Sequence, residues 1–245
     1  MRGLVAIVTL LNIGFFWMVN GGYQHISYLK NIGTNTYVAS STVATSSVIK
    51  KKEEVKSVNG STTPRIVTHI KTPEHVKSVY MSSWVAGSPS IRSKMVKLID
   101  DTELNAIVID VKDNTGVISW NGRVRDLPEF IDELHAKNIY VIARVAAFQD
   151  PLYVKDHPLQ AVRSKKTGGI WKDYKGEPWV DTGSKDMWKY IENVSKDAYA
   201  MGFDEINLDY IRFPTDGPLA DMDFPISGDR AKTDKPGIVG DFYRY

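Results

Sequence analysis

The chain has 245 residues, 42% of them hydrophobic and 24% charged, with a formal net charge of +2 and no cysteine. That length and composition suit one large or two small globular domains. A nearly balanced charge with scattered Lys and Arg excludes a dedicated nucleic-acid binder, and the lack of cysteine excludes a disulfide framework, a thiolate metal site and a Cys nucleophile.

In chain order, the first element is apolar. Met1-Arg2 precedes a run from Gly3 to Val19 broken only by Thr9 and Asn12, and no acid occurs before Glu53. A cationic start followed by a hydrophobic stretch is the pattern of an export signal, and the run is at the lower limit for spanning a bilayer as a helix. Residues 1–20 read as a signal peptide or as an uncleaved, membrane-embedded signal anchor. Arg2 on the inner side places the rest of the chain outside the cytoplasm, membrane-anchored or secreted. Residues 21–74 read as a flexible linker. They hold the Ser/Thr-rich stretch 34–47, the charged run Lys50-Lys51-Lys52-Glu53-Glu54 and Asn59-Gly60-Ser61-Thr62-Thr63-Pro64, a composition poor in the long apolar runs a core needs. Arg65–Ile70 reads as a short strand leading into the folded domain.

From residue 75 to residue 245 strand and helix patterns alternate. Val79–Val85 reads as a strand. Ser90 is placed to cap a helix whose Ile91, Met95, Leu98 and Ile99 share a face. Asn105–Val111 is a continuous apolar strand, as expected where both faces are covered. Asp126, with Glu129 three residues on, has capping-box spacing before the stripe Leu127, Phe130, Ile131 and Leu134. Ile139–Val145 is another buried strand. A longer helix runs from Ser184 to Met201 and ends at Gly202; Phe203–Asp209 is the fourth strand. Repeated strand–helix order argues for a parallel sheet with right-handed crossovers. Polar residues gather at the strand C-termini: Ser82, Ser83 and Trp84; Asp110, Lys112 and Asp113; Arg144 and Gln149; Asp209 and Arg212. That asymmetry suits an α/β fold of the (β/α)8 TIM-barrel type with its site at the C-terminal ends of the strands. Only about four of the eight β/α units are present. The tail after Pro214 reads as one long loop, with a helix beginning near Gly240. The expectation is therefore the N-terminal half of a barrel, probed against a complete small doubly wound domain as the rival.

The stretch Phe203–Pro214, FDEINLDYIRFP, delivers one acid, Asp209, to a strand end with Arg212 close by. Such an acid is a candidate nucleophile, base or metal ligand. Together with Asn105–Asp113 (NAIVIDVKD), Val141–Pro151 (VIARVAAFQDP) and Trp179–Thr182 (WVDT), the run Asn207–Pro214 (NLDYIRFP) resembles the glycoside hydrolase domain family of bacterial envelope proteins, once a domain of unknown function and distantly similar to alpha-amylase-type TIM barrels. The resemblance covers residues 75–245. It implies a barrel, a carbohydrate polymer as substrate and hydrolysis of glycosidic bonds. It also implies that Asp209 is the nucleophile, because in alpha-amylase-like barrels an Asp ends the fourth strand.

Most glycoside hydrolases need two carboxyl groups, one to protonate the leaving oxygen and one to act as nucleophile or to activate water. Arg212 is placed to keep Asp209 ionised, and Arg144, closing the third strand, to orient Asp209 or a sugar hydroxyl. A structural ion pair at a strand end is the alternative for each. Asp110, Asp113, Asp181 and Glu177 are the carboxyls available as a partner; in the distant relatives the acid comes from a later strand, beyond Tyr245. Trp84, Trp171 and Trp179 offer ring faces to sugars, with Tyr174 and Trp120 as similar cases and plain packing as the alternative. The five histidines show no metal-ligand spacing, and no phosphate loop or G-x-S-x-G elbow is present. No metal or cofactor is expected. A non-catalytic carbohydrate-binding module or an envelope scaffold on the same fold remains the alternative function.

Overall fold

The computed structural model describes residues 13–19, 22–30, 37–44 and 65–245, the first three segments through their strand pairing alone. The chain divides into two units, residues 1–68 and 69–245. In the first, β1 (Ile13–Val19), β2 (Gly22–Lys30), β3 (Tyr37–Ala44) and β4 (Arg65–Val67) form an antiparallel sheet in that order. The end of the apolar run, Ile13–Val19, is thus a strand, and part of the stretch expected to be a tether pairs with it. Residues 69–74, expected as linker, belong to the second unit, where Ile70 and Thr72 lie against the main sheet; the remainder of the signal and linker expectations falls outside the described residues. No helix among the described residues is long and apolar enough to cross a membrane.

The second unit carries the alternating pattern. β5 (Ser78–Met81) leads into a one-turn helix α1 (Ser83–Ala86), then α2 (Pro89–Asp100), β6 (Ala106–Lys112), α3 (Leu127–Ala136) and β7 (Tyr140–Ala146). After α4 (Pro151–Asp156) and the two-residue β8 (Arg163–Ser164) come α5 (Lys185–Met201), β9 (Glu205–Asp209), β10 (Met222–Asp223), α6 (Arg230–Thr233) and α7 (Lys235–Arg244). The main sheet has the order β5-β6-β7-β9, every pair parallel. Neighbours in space are therefore successive units in sequence, as in one sector of a (β/α) barrel.

Several elements differ from the sequence reading. Ser90 does not cap α2: it lies inside the helix, whose N-cap position is Ser88. Val79–Val85 is not one strand: Ser82 accepts a hydrogen bond from the Val85 N–H and turns the chain into α1. The tail after Pro214 is not a plain loop. The Asp234 carboxylate accepts from the Gly237 N–H at 2.9 Å, and Pro236 in the first turn brings a helical φ with it, so Lys235-Pro236-Gly237 opens α7 instead of a turn.

The pleat assigns each side chain a face. Ile107, Ile109, Val141, Ala143 and Val145 pack with Val96 and Ile99 of α2, Phe130, Ile131 and Leu134 of α3, and Met187, Ile191 and Val194 of α5. The alternate residues Ala106, Val108, Tyr140 and Ile142 form a separate cluster with Ile70 on the opposite, helix-free face. The N-terminal half of that face is thereby covered, and the Tyr140 hydroxyl is hydrogen-bonded to Thr72 Oγ1 (3.0 Å) and donates to Glu205 (3.2 Å). Its C-terminal half is open. There the next residues in the same alternation are Tyr80, Asp110, Arg144, Asn207 and Asp209.

Candidate active site

Asp209 is the last residue of β9, opposite Ala146 of β7. Its side chain is 48% exposed on the helix-free face. Arg144 donates to Asp209 Oδ2 from Nη2 (2.6 Å) and Nε (3.0 Å), and the Tyr210 N–H donates to Oδ1 (2.6 Å). Partial burial alone would raise this carboxyl. The Tyr210 N–H, the Arg144 bonds and the charges of Arg144 and Arg212 together outweigh burial and hold it below the usual carboxylate range. Tyr210 has φ 54°, a left-handed conformation costly for a bulky residue; it turns the chain sharply just past the carboxylate.

The same guanidinium holds a second acid. Arg144 Nη1 donates to Asp110 Oδ1 at 2.5 Å, in register across β6 and β7. Asp110 is buried, and its Oδ2 accepts from the Tyr80 hydroxyl. Burial and then that hydrogen bond push the Tyr80 phenol up to about 12, so it stays a protonated donor at neutral pH. Tyr80, Asp110, Arg144 and Asp209 thus form one chain of hydrogen bonds across all four strands. Arg144 lies between the rings of Tyr80 and Tyr210, 5.9 Å from each centroid. Tyr80 carries no charge and sits in a short strand pattern, so nothing in the sequence alone marked it; its register opposite Val108 is what places it on this face.

Arg212 is not the direct partner of Asp209. It bonds Thr215 Oγ1 and lies over the rings of Trp179 (5.1 Å) and Tyr210 (5.5 Å), acting on Asp209 only through its charge. Asp113 is held by other partners than the acid pair: it accepts from the Thr115 N–H (2.9 Å) and hydroxyl (2.5 Å) and from Arg123 (2.6 Å), which close a turn. Trp171, Trp179 and Asp181 do not line the mouth. The excursion over residues 158–181 folds back on itself through bridges such as Arg163↔Ile170 and Lys172↔Pro178, and this buries both indoles. Trp171 Nε1 donates to the Pro218 carbonyl and Trp179 Nε1 to Asp173. Asp181, fully buried, accepts from the N–H groups of Gly183, Ile226 and Ser227 and from the Ser227 hydroxyl; it ties the two loop excursions together. Trp84 differs from these: it stands 71% exposed in α1.

Beneath the acid pair lies a buried cation. A bulge between Asp110 and Lys112 turns Lys112 to the helix side, opposite Val145. Its Nζ donates to the Ala146 carbonyl (2.6 Å) and pairs with Asp150 (2.9 Å), both side chains essentially without solvent contact. Burial pushes the Lys112 ammonium down, and the Asp150 charge opposes that. Among the described residues, no group of His, Asp and Glu is arranged to hold a metal ion.

Residues 78–245 match a family model described as "Putative glycosyl hydrolase domain". A hypothetical protein of known crystal structure from Ruminiclostridium thermocellum is 34% identical, with a TM-score of 0.60; the match covers 68% of this chain and 90% of that one. The alpha-galactosidase from Lactobacillus brevis is 13% identical with a TM-score of 0.50, covering 69% of this chain and 25% of its own. The galactosidase domain of an alpha-galactosidase–sucrose kinase is 12% identical with a TM-score of 0.51, covering 70% and 25%. This chain spans about a quarter of each galactosidase, and at such identities the likeness speaks for the TIM-barrel fold. No curated protein matches.

Proposed function

The chain belongs to this glycosyl hydrolase domain family, and from that premise we propose that it is a glycosidase module whose reacting carboxylate is Asp209. The observation that carries the reading is an exposed, ionised acid at the C-terminal end of β9, on the face free of helices. Active sites of barrel enzymes are built at those strand ends. Asp209 attacks the anomeric carbon, the glycosidic C–O bond breaks, and water later hydrolyses the glycosyl ester. Arg144 holds the attacking oxygen ionised and in place, while Asp110 and Tyr80 fix Arg144 in turn. Both Asp110 oxygens are engaged, by Arg144 and Tyr80, so the leaving oxygen takes its proton from another group. The substrate in this reading is a carbohydrate polymer of the cell envelope or the extracellular space, reached by export through the N-terminal segment.

Asp209→Asn tests the assignment on aryl α- and β-glycosides. Turnover falls by several orders of magnitude, and Asp209→Gly regains part of it with azide, releasing a glycosyl azide. Unchanged turnover in Asp209→Asn removes Asp209 from the reaction. The exposed Trp84 favours a second reading, glycan binding without cleavage; retained glycan affinity with no hydrolysis in the unmodified chain selects it.

A further inference from the structure

We propose that Trp84 is a rigid sugar-stacking platform forming a distal subsite, so that the site takes an extended glycan and not a single sugar. The proposal rests on the glycosidase or glycan-binding reading of the same face and adds where the chain lies. An exposed tryptophan alone means little. This one is held from behind by a constructed support. The Arg123 guanidinium lies 4.5 Å from the centre of the Trp84 ring, covering one face. Arg123 is itself fixed, donating to Asp113 Oδ2 (2.6 Å) and Ser83 Oγ (3.0 Å). Asp113 is held by Thr115. On the other side of the turn, a Cβ on Gly87 would meet the Arg123 carbonyl oxygen at 2.2 Å, so glycine there lets α1 settle directly against the Arg123 backbone.

With one face backed and the indole 71% exposed, the other face is free and its orientation is set before any ligand arrives. An apolar, preoriented ring face suits the C–H face of a pyranose, and preorganisation lowers the entropic cost of binding. Place in the fold gives the length. Trp84 follows β5 at one edge of the sheet, and Asp209 ends β9 at the other. Three strand spacings separate β5 from β9, about 14 Å along the sheet, which is more than one sugar ring spans. Tyr80, 51% exposed, stands on β5 and reaches across to Asp110 of β6. A ligand touching both ends is therefore an oligosaccharide crossing the face over Tyr80 and Arg144.

The test uses the full chain carrying Asp209→Asn, so that bound glycan is not consumed. Two length series, glucose to maltoheptaose and glucose to cellohexaose, are titrated by calorimetry and by protection of tryptophan fluorescence from iodide. Affinity for one series rises stepwise with length, and the bound chain protects an iodide-accessible tryptophan. Trp84→Ala loses that protected component and weakens the longest ligand roughly tenfold, while Trp84→Phe keeps most of the affinity. Arg123→Gln, which removes the backing, falls between them. Equal affinity of Trp84→Ala and its parent for the longest ligand, or no affinity for either series, overturns the proposal. Failure of the nucleophile assignment shows separately, as unchanged hydrolysis in Asp209→Asn.

Discussion

Arg144 helps to set the charge state of Asp209. Asp209 lies below the ordinary carboxylate range although burial works against it, because the Tyr210 N–H and Arg144 favour the ionised form. Replacing Arg144 by Met removes two hydrogen bonds and the nearest cation, so the Asp209 pKa rises. The acid limb of the kcat/KM profile then moves to higher pH; a limb that stays in place means that Arg144 does not control the reacting group. Sequence made Asp209, Asp110 and Arg144 legible, since each interrupts or ends an apolar strand. It could not rank Arg144 above Arg212. Arg212 is nearer to Asp209 in sequence, but the turn at Tyr210 aims it at Trp179 and Thr215. Trp171 and Trp179 misled for a related reason: composition marks an aromatic loop, while the folded excursion buries both rings.

Among the elements, β6, β7 and β9 and the bodies of α2, α3 and α5 were legible from periodicity. α5 follows its signals closely: Ser184 accepts from the Met187 N–H at 3.0 Å, and Gly202 ends the helix at φ 114°. α3 does not use its capping box. Asp126 is taken by Arg92, at 2.6 and 3.0 Å, and so caps nothing; a long-range partner won over a local one. The β6 bulge is equally hidden, because an extra residue in a strand leaves no mark in an apolar run. It sends Lys112 under the sheet, where the cation ties β6 to the end of β7 and to Asp150, the N-cap of α4. Lys112→Met leaves Asp150 buried without a counter-charge and costs about 3–5 kcal/mol in chemical denaturation. Adding Asp150→Asn to that variant restores much of the loss. A single variant as stable as its parent shows that the pair is not what holds this junction.

At the scale of the whole unit, one carboxylate on the underside joins four segments. Asp204, with a fully buried side chain, accepts from the N–H groups of Ile70 (2.7 Å) and Val141 (2.8 Å), and it bonds His135 at 3.0 Å with His69 at 3.7 Å. Burial would raise its pKa, but these partners bring it down to about 2. The folded value lies below the unfolded one of ~3.9, so the stabilisation is complete above about pH 4 and is lost as pH falls through about 2. It amounts to ~2–3 kcal/mol. Denaturation midpoints of the parent therefore drop across that window, and Asp204→Asn flattens the drop. The architecture was legible because alternation of strand and helix dictates parallel order; the underside was not, since no local pattern links residues 69 and 70 to residue 204.

The same parallel order governs how this unit reaches its native state. Ser78 pairs with Ala106, Ala106 with Tyr140 and Ile142 with Glu205, so no ladder of the main sheet can start from a tight turn. Each closes only after a whole helix-bearing crossover has been drawn in, and the entropy of that closure is spent before any rung rewards it. Self-assembly of this unit is thereby slow and stepwise, with apolar staves waiting in water for neighbours that arrive late, and the cell's folding helpers have the longest time to act on it there.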